Sequence, residues 1–292
     1  MCGIAGVISK NFFKTPDEEK IKSLMYSRGP DKQDSFIYNK NGLSLNLYAS
    51  RLKILDIDER SNQPFIFDEL ILIYNGEIYN YLKIKNELIG LGFKFKTNSD
   101  TEVLIQAYKK WGSECVKKFD GMWSFCIYDQ KENKIVISRD FFGEKPLFIY
   151  FDNLNLIFGS EIKYLLFFDN KLNNLNYEKI ENFLLNGYKS LFKNEETFFK
   201  KINFVKPGEI LELDLNTFQL SKKKYFPFKK IEISSDEKIY SNHIKDIFIE
   251  DYKKRLRSDV PISFCLSGGI DSSALVSIAK KKFNLNPYCF SI

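Results

Sequence analysis

The sequence predicts an α+β chain: a layered αββα unit up to about position 200, followed by the opening of a parallel α/β sheet. Three observations predict it. Many short apolar runs of strand length recur, with few and well-spaced helical patterns between them. A strand, glycine loop, helix and second strand succeed one another from Val260 to Ile292, the order that opens a parallel sheet. The 292 residues leave room for about two domains at roughly 150 residues each. The expected division is residues 2–200, a connecting segment over 201–240, and 241–292.

In chain order, Cys2–Val7 reads as a first strand, and Pro16–Tyr26 as a short amphipathic helix with Ile21, Leu24 and Met25 on one face, stopped by Gly29-Pro30. Leu43–Leu55 alternates in part and predicts two strands split around Ala49-Ser50-Arg51. Leu70–Tyr74 is a continuous apolar run that predicts a strand ending at Asn75-Gly76. Helices are expected over Tyr79–Leu91 and Glu102–Trp111, a hairpin from Trp123–Tyr128 and Lys134–Ser138, and strands over Leu147–Phe151 and Leu156–Phe158. Phe192–Phe226 is looser in texture, with a turn at Val205–Glu209 leading into the alternating strand Ile210–Leu213. Beyond it, Ile244, Ile247, Phe248 and Tyr252 share one face of a helix running from Tyr240 to Arg257. A buried strand at Val260–Leu266, a helix at Ala274–Lys282 and the start of a strand within Phe283–Ile292 complete the order.

Composition excludes several classes. With 44% hydrophobic and 28% charged residues, the chain matches neither a disordered tail nor a disulfide scaffold. The net charge of +6 comes from dispersed lysines in clusters no longer than three, such as Lys222–Lys224 and Lys280–Lys282, so no nucleic-acid partner is expected. The five cysteines form no C-x-x-C pair, as reduced cytosolic thiols would. There is no signal-peptide pattern and no apolar run of the ~18–20 residues that span a bilayer, so no membrane partner is expected and the predicted location is the cytoplasm.

The chemistry-bearing residues begin at Cys2, which becomes the N-terminus if Met1 is removed. Its thiol and its own α-amine would then sit on one residue, with the amine, of pKa roughly 7.7–8.0, serving as base. No histidine is needed for this, and His243 is the only one in the chain. The alternative is a small apolar residue in a first buried strand. Asn75-Gly76 likewise carries two readings. Asn-Gly after an apolar strand is a strong hairpin signal. An amide side chain beside a sterically free backbone N–H is also what an oxyanion hole requires. Arg51, Glu77 and Asp100 could together clamp a zwitterionic amino acid, the arginine on the carboxylate and the acids on the ammonium. The loop Ser267-Gly268-Gly269-Ile270-Asp271-Ser272 joins a strand directly to a helix. It lacks a Walker lysine, and suits a phosphate held by backbone N–H groups, with Asp271 recruiting Mg²⁺; the alternative is a glycine-rich turn with a serine cap.

Met1-Cys2-Gly3-Ile4-Ala5-Gly6, Arg28-Gly29-Pro30-Asp31, Arg51-Leu52, Tyr74–Asn80, Ser99-Asp100-Thr101-Glu102, Arg139-Asp140 with Gly143–Leu147, Ser160–Lys163 and Leu266–Ser273 occur in one order. That set resembles the glutamine-dependent asparagine synthetases, in which a class II glutamine amidotransferase domain precedes an ATP-pyrophosphatase domain. The resemblance implies an N-terminal-nucleophile sandwich with Cys2 as nucleophile, its α-amine as base, Asn75 and Gly76 as oxyanion hole, and Arg51, Asn75, Glu77 and Asp100 as glutamine binders. It further implies an ATP site at Leu266, Ser267, Gly268, Gly269, Asp271, Ser272 and Ile292, Mg²⁺ at Asp271, and aspartate as the acceptor of ammonia delivered through an internal passage. A homodimer is among the assemblies it allows. Other expectations are a different acceptor, such as a sugar acid or antibiotic precursor, and a non-catalytic interaction subunit that keeps the fold. Sibling amidotransferases that make glucosamine phosphate or phosphoribosylamine lack the Ser-Gly-Gly-x-Asp-Ser loop. The sequence departs from the family pattern in having Tyr26-Ser27 before Arg28 and Lys32-Gln33-Asp34 after the motif. The family's second domain also runs well past Ile292, so the chain as it stands is not expected to complete amide synthesis.

Overall fold

The computed structural model describes residues 2–11, 13, 17–40, 42–191, 193–225 and 237–291. Two compact units result: Met1–Lys53 with Asp58–Phe228, and Ile54–Ile57 with Lys229–Ile292. The elements of the first, in order, are β1 (Gly3–Ser9), α1 (Glu18–Met25), β2 (Lys32–Lys40), β3 (Leu43–Arg51), β4 (Phe65–Phe67), β5 (Leu70–Ile78), α2 (Tyr81–Gly90), α3 (Asp100–Trp111), β6 (Gly121–Asp129), β7 (Lys134–Arg139), β8 (Phe148–Phe151), β9 (Asn155–Gly159), α4 (Ile162–Phe168), α5 (Tyr177–Asn186), β10 (Asn203–Phe204), β11 (Glu209–Asp214) and β12 (Leu220–Lys224). The second unit contributes α6 (Glu237–Arg255), β13 (Ser263–Cys265), α7 (Ile270–Phe283) and β14 (Tyr288–Phe290), with β13 and β14 parallel.

The first unit holds two six-stranded sheets, ordered β10-β8-β9-β1-β3-β2 and β12-β11-β7-β6-β5-β4, antiparallel throughout. The predicted α+β layering is the architecture observed. Period-two alternation explains it: Ile4 and Ile8 of β1, Leu45, Leu47 and Ala49 of β3, Ile71 and Ile73 of β5, and Ile135 and Ile137 of β7 all enter one core cluster. The intervening residues of the first sheet, such as Ala5, Val7 and Tyr48, pack in a second cluster with Ile21 and Met25 of α1 and Tyr164 and Leu165 of α4.

Several expectations need correction. Leu43–Arg51 is one strand, because Ala49 and Ser50 pair with Ile4 and Gly3 of β1 while Ala49, Ser50 and Arg51 pair with Asp34, Gln33 and Lys32 of β2, and that pairing outweighs weak local propensity. Asn75-Gly76 does not form a hairpin. Strand β5 runs through both residues to Ile78, paired to β6 with Asn75 opposite Ser124 and Gly76 opposite Trp123. Strand β2 escapes sequence reading because it is a polar edge strand, and α4 and α5 lie where only a short motif was visible. Within the stretch read as a connecting segment, residues 203–224 supply strands to both sheets. In the second unit the expected buried strand is three residues long, with Ser263 and Cys265 exposed and Phe264 half-buried. The expected Pro16 start of α1 lies outside the described residues.

Gly76 is required by close approach: a Cβ there would collide with the Met122 carbonyl oxygen and lie 2.8 Å from the Trp123 Cα. Both are backbone atoms of a central strand and cannot swing aside. Gly76→Ala is therefore expected to destabilise the chain by about 3 kcal/mol or more, read as a lowered midpoint in urea unfolding. A midpoint equal to wild type would contradict the strand register.

Candidate active site

At one end of the sandwich the inward-facing rows change from apolar to polar. On β1 the row Ile8, Ile4 continues to Cys2, and on β3 the row Leu45, Leu47, Ala49 continues to Arg51. On β5, Ile71 and Ile73 give way to Asn75 and Glu77, and on β7, Ile135 and Ile137 give way to Arg139. Because strand side chains alternate strictly, these polar groups face the gap between the sheets as the core residues before them do.

Cys2 is half-buried, with Leu52 N–H donating to its Sγ at 3.3 Å and the thiol donating to the Leu52 carbonyl at 3.7 Å. Leu52 is itself held by its neighbours. Asp31 N–H donates to the Arg51 carbonyl at 3.1 Å, and Lys53 N–H donates to Asp31 Oδ2 at 2.8 Å. Gly29 sits where any Cβ would collide with the Ser50 backbone. The Arg28–Asp31 motif is thus a brace that sets the segment gripping the thiol. Arg28 also donates through Nε to the Cys2 carbonyl at 2.9 Å and pairs with Glu161 at 3.3 Å. Ser160 locks β1 from the other side: it accepts from Ile4 N–H at 3.0 Å through Oγ and donates its own N–H to the Ile4 carbonyl at 2.8 Å.

Asn75 is 1% exposed, and neither polar atom of its side-chain amide has a hydrogen-bond partner among the described residues. An orphaned buried amide of this kind costs on the order of 1–3 kcal/mol and calls for an occupant. Asp100, at the start of α3 after the Ser99 cap, accepts from the Tyr74 hydroxyl and from Ile78 N–H, each at 2.9 Å. Burial raises its carboxyl above the ordinary range, against the pull of those hydrogen bonds. Arg51 is 5% exposed and donates from Nη1 to the Asp58 carbonyl and to Asn62 Oδ1, both at 2.9 Å, so it also anchors the following loop. Burial raises the Cys2 thiol, opposed by the Leu52 hydrogen bond and by the charges of Arg51 and Lys145.

Burial, aided by the neighbouring Asp100 charge, pushes Glu77 up to about 7, with Lys145 pulling the other way. The sign for stability follows. A carboxyl raised in the folded state binds more protons folded than unfolded, so its contribution is full below the unfolded value of about 4.3 and is lost as pH rises through about 7. Glu77→Gln, which mimics the neutral acid, is expected to leave the melting temperature unchanged near pH 4.5 and to raise it at pH 8. Thermal melts at the two pH values check this; an equal shift at both would rule it out.

The structure therefore brings Cys2, Arg51, Asn75, Gly76, Glu77 and Asp100 to one end of one sandwich. Sequence reasoning missed the parts played there by Leu52, Tyr74 and Lys145. Gly143–Leu147 stood out as a motif, but nothing in its spacing connects Lys145 with Glu77.

The glycine loop lies in the second unit. Helix α7 begins at Ile270 after Gly269, which provides no side-chain cap, and the Gly269 N–H donates to Ser267 Oγ at 3.5 Å. Gly268 has φ +79, and a Cβ there would meet nothing within 4 Å, leaving an open backbone cradle. Ser267 and Ser272 hydroxyls lie 3.1 Å apart across the loop, and Ser272 donates to the Gly269 carbonyl at 3.3 Å. Open N–H groups at a helix start suit a phosphate. Among the described residues no group of three or more His, Cys, Asp or Glu could hold a metal alone. Asp271 offers one carboxylate, which fits Mg²⁺ carried on nucleotide phosphates and does not fit a cage built from protein alone. Leu266 donates its N–H to the Phe290 carbonyl at 2.8 Å, linking the two strands, and Ile292 lies outside the described residues.

A family model described as glutamine amidotransferase domain matches residues 1–226. The chain belongs to the glutamine amidotransferase family. Residues 243–292 match a second family, asparagine synthase, so the amidotransferase domain is followed by the start of a synthetase domain. The putative asparagine synthetase [glutamine-hydrolyzing] 2 of Methanocaldococcus jannaschii is 35% identical over all of this chain and 59% of its own length. The asparagine synthetase [glutamine-hydrolyzing] 1 of Bacillus subtilis is 32% identical over 96% of this chain and 44% of its own. The chain spans about half the length of the curated relatives it matches. Among solved structures, glutamine phosphoribosylpyrophosphate amidotransferase from B. subtilis aligns with TM-score 0.52 at 17% identity, over 77% of this chain and 49% of that one, a likeness of fold. No helix among the described residues is long and apolar enough to cross a membrane.

Proposed function

We propose that the first unit hydrolyses glutamine to glutamate and ammonia through Cys2, as the amide donor for an ATP-dependent amidation. The observation that carries this is the buried Asn75 amide, without a partner among the described residues, on the sheet that faces the one carrying Cys2 and Arg51. Once Met1 is removed, the Cys2 α-amine accepts the thiol proton as Sγ attacks the side-chain carbonyl carbon of glutamine. The carbonyl electron pair moves to oxygen, where the Asn75 amide and the Gly76 N–H stabilise it. Collapse breaks the C–N bond, and the amine returns its proton to the departing nitrogen, which leaves as ammonia. Water then cleaves the resulting thioester to glutamate, with the same amine as base. Arg51 takes the substrate carboxylate, and Glu77 and Asp100 take its ammonium.

In this reading residues 1–226 form the glutaminase and the unit from 243 onward opens a nucleotide site. Leu266, Ser267, Gly268, Gly269 and Ser272 would bind and orient ATP phosphate, and Asp271 would meet its Mg²⁺. Bound there, ATP supplies the activation of a carboxylate acceptor. Aspartate is the acceptor that the relatives' names favour, and the reaction is then that of a glutamine-hydrolysing asparagine synthetase working in the cytoplasm. A different acceptor is the second reading: a Gibberella zeae protein named amidase chry2 is 29% identical over 87% of this chain. Ammonia release from glutamine, compared between wild type and Cys2→Ala, tests the first step directly.

A further inference from the structure

Lys145 has no part in the mechanism above, yet it is 5% exposed, an unusual burial for an ammonium. Its position is set by main chain. Ile149 and Leu147 both enter the core between the sheets, and Lys145, at a bend before β8, is the next buried residue at that two-residue spacing. Its backbone is pinned by Asp140, whose Oδ2 accepts from Lys145 N–H at 2.9 Å and from Trp123 N–H at 3.2 Å. Trp123 is the residue opposite Gly76 on β6, so one carboxylate oxygen joins the Lys145 main chain to the strand facing Gly76-Glu77. Arg139 closes the turn, donating from Nε to the Lys145 carbonyl at 2.8 Å and from Nη2 to the Gly143 carbonyl at 2.7 Å.

We propose that Lys145 is a positioning residue that holds Glu77 as an inward-facing carboxylate, the form able to receive the α-ammonium of glutamine. The inference rests on the glutaminase reading of the site. The charged and titratable groups around Glu77 are Asp100 and Lys145, with Tyr74 beside both acids. Those around Lys145 are Glu77 first, then Cys2, Arg28 and Glu144. Glu77 thus has one acid against it and one cation for it, and burial works against its ionisation. Without the cation, half-ionisation of Glu77 moves from about 7 to higher pH. An opposite charge at close range is worth about one pH unit or more to a carboxyl, and one unit is a tenfold change in the ionised fraction where both forms are mostly protonated.

The test is the pH dependence of KM for glutamine in Lys145→Met, Lys145→Arg and wild type between pH 6 and 9. Lys145→Met is expected to raise KM about five- to tenfold at pH 6–7, with the ratio to wild type falling toward one by pH 9. Lys145→Arg, which keeps the charge, is expected to follow the wild-type profile. A KM ratio for Lys145→Met that is independent of pH, or a loss confined to kcat, would overturn the proposal. Lys145→Gln takes the place of Lys145→Met if the latter does not fold. A ¹³C NMR titration of the Glu77 carboxyl, assigned with Glu77→Gln, reads the same shift without turnover; an unmoved midpoint would also overturn it. Failure of the underlying reading is separate: it shows as glutamine hydrolysis that survives Cys2→Ala, whatever Lys145 does.

Discussion

Cys2→Ala is expected to reduce glutamine hydrolysis by about 10⁴- to 10⁶-fold, the scale on which a covalent nucleophile's removal is felt. The loss should be chemical and not structural. The thiol's contacts are one bond from Leu52 N–H at 3.3 Å and one to the Leu52 carbonyl at 3.7 Å, while β1 keeps its ladder to β3 and β9. The melting temperature should therefore stay close to wild type while ammonia release disappears. The companion measurement is N-terminal mass. Hydrolysis should track the fraction of chains that begin at Cys2, because an acylated α-nitrogen cannot accept the thiol's proton. Ammonia release that persists in Cys2→Ala, or that is insensitive to a retained Met1, would remove the mechanism.

Asn75→Ala is the second large effect, and its two readouts should part company. If the amide stabilises a developing oxyanion, kcat for glutamine hydrolysis falls about 10²- to 10³-fold with little change in KM, because the interaction strengthens only in the transition state. Stability should hold or rise. Asn75 is 1% exposed with both amide atoms unpartnered among the described residues, so truncating it removes an unmet desolvation cost, which sets against the small cavity it leaves. A group kept at the expense of stability is characteristic of a functional site. A drop in stability with kcat unchanged would mark Asn75 as a structural residue only.

Much of the site was legible because its residues sit in short ordered motifs. Cys2, Arg51, the run Asn75-Gly76-Glu77, and Asp100 after its Ser99 cap were each visible as polar breaks in apolar segments. Other parts were visible without their roles. Arg28-Gly29-Pro30-Asp31 and Ser160-Glu161 stood out as motifs, but their work is to brace the Leu52 segment and β1 across separations of 22, 26 and 156 residues, which no local pattern encodes. The edge strand β2 was invisible for the opposite reason: none of its nine residues is buried, so its composition resembles a loop.

The readings of Cys2 and Asn75-Gly76 show where the boundary lies. From residues alone, the resemblance to a family, many of the strands and helices and the chemical inventory followed, because apolar periodicity and motif chemistry are properties of neighbours in the chain. Whether Cys2 lies among the apolar core residues or at the polar end of the gap between the sheets, and whether Asn75-Gly76 turns a hairpin or lies within a strand, was decided only by tertiary structure. Pairing register assigns each strand residue to one face, and packing two sheets face to face brings the polar ends of separate rows together. That convergence set Cys2 and Arg51 on one sheet across from Asn75 and Glu77 on the other, and placed Lys145 beside them.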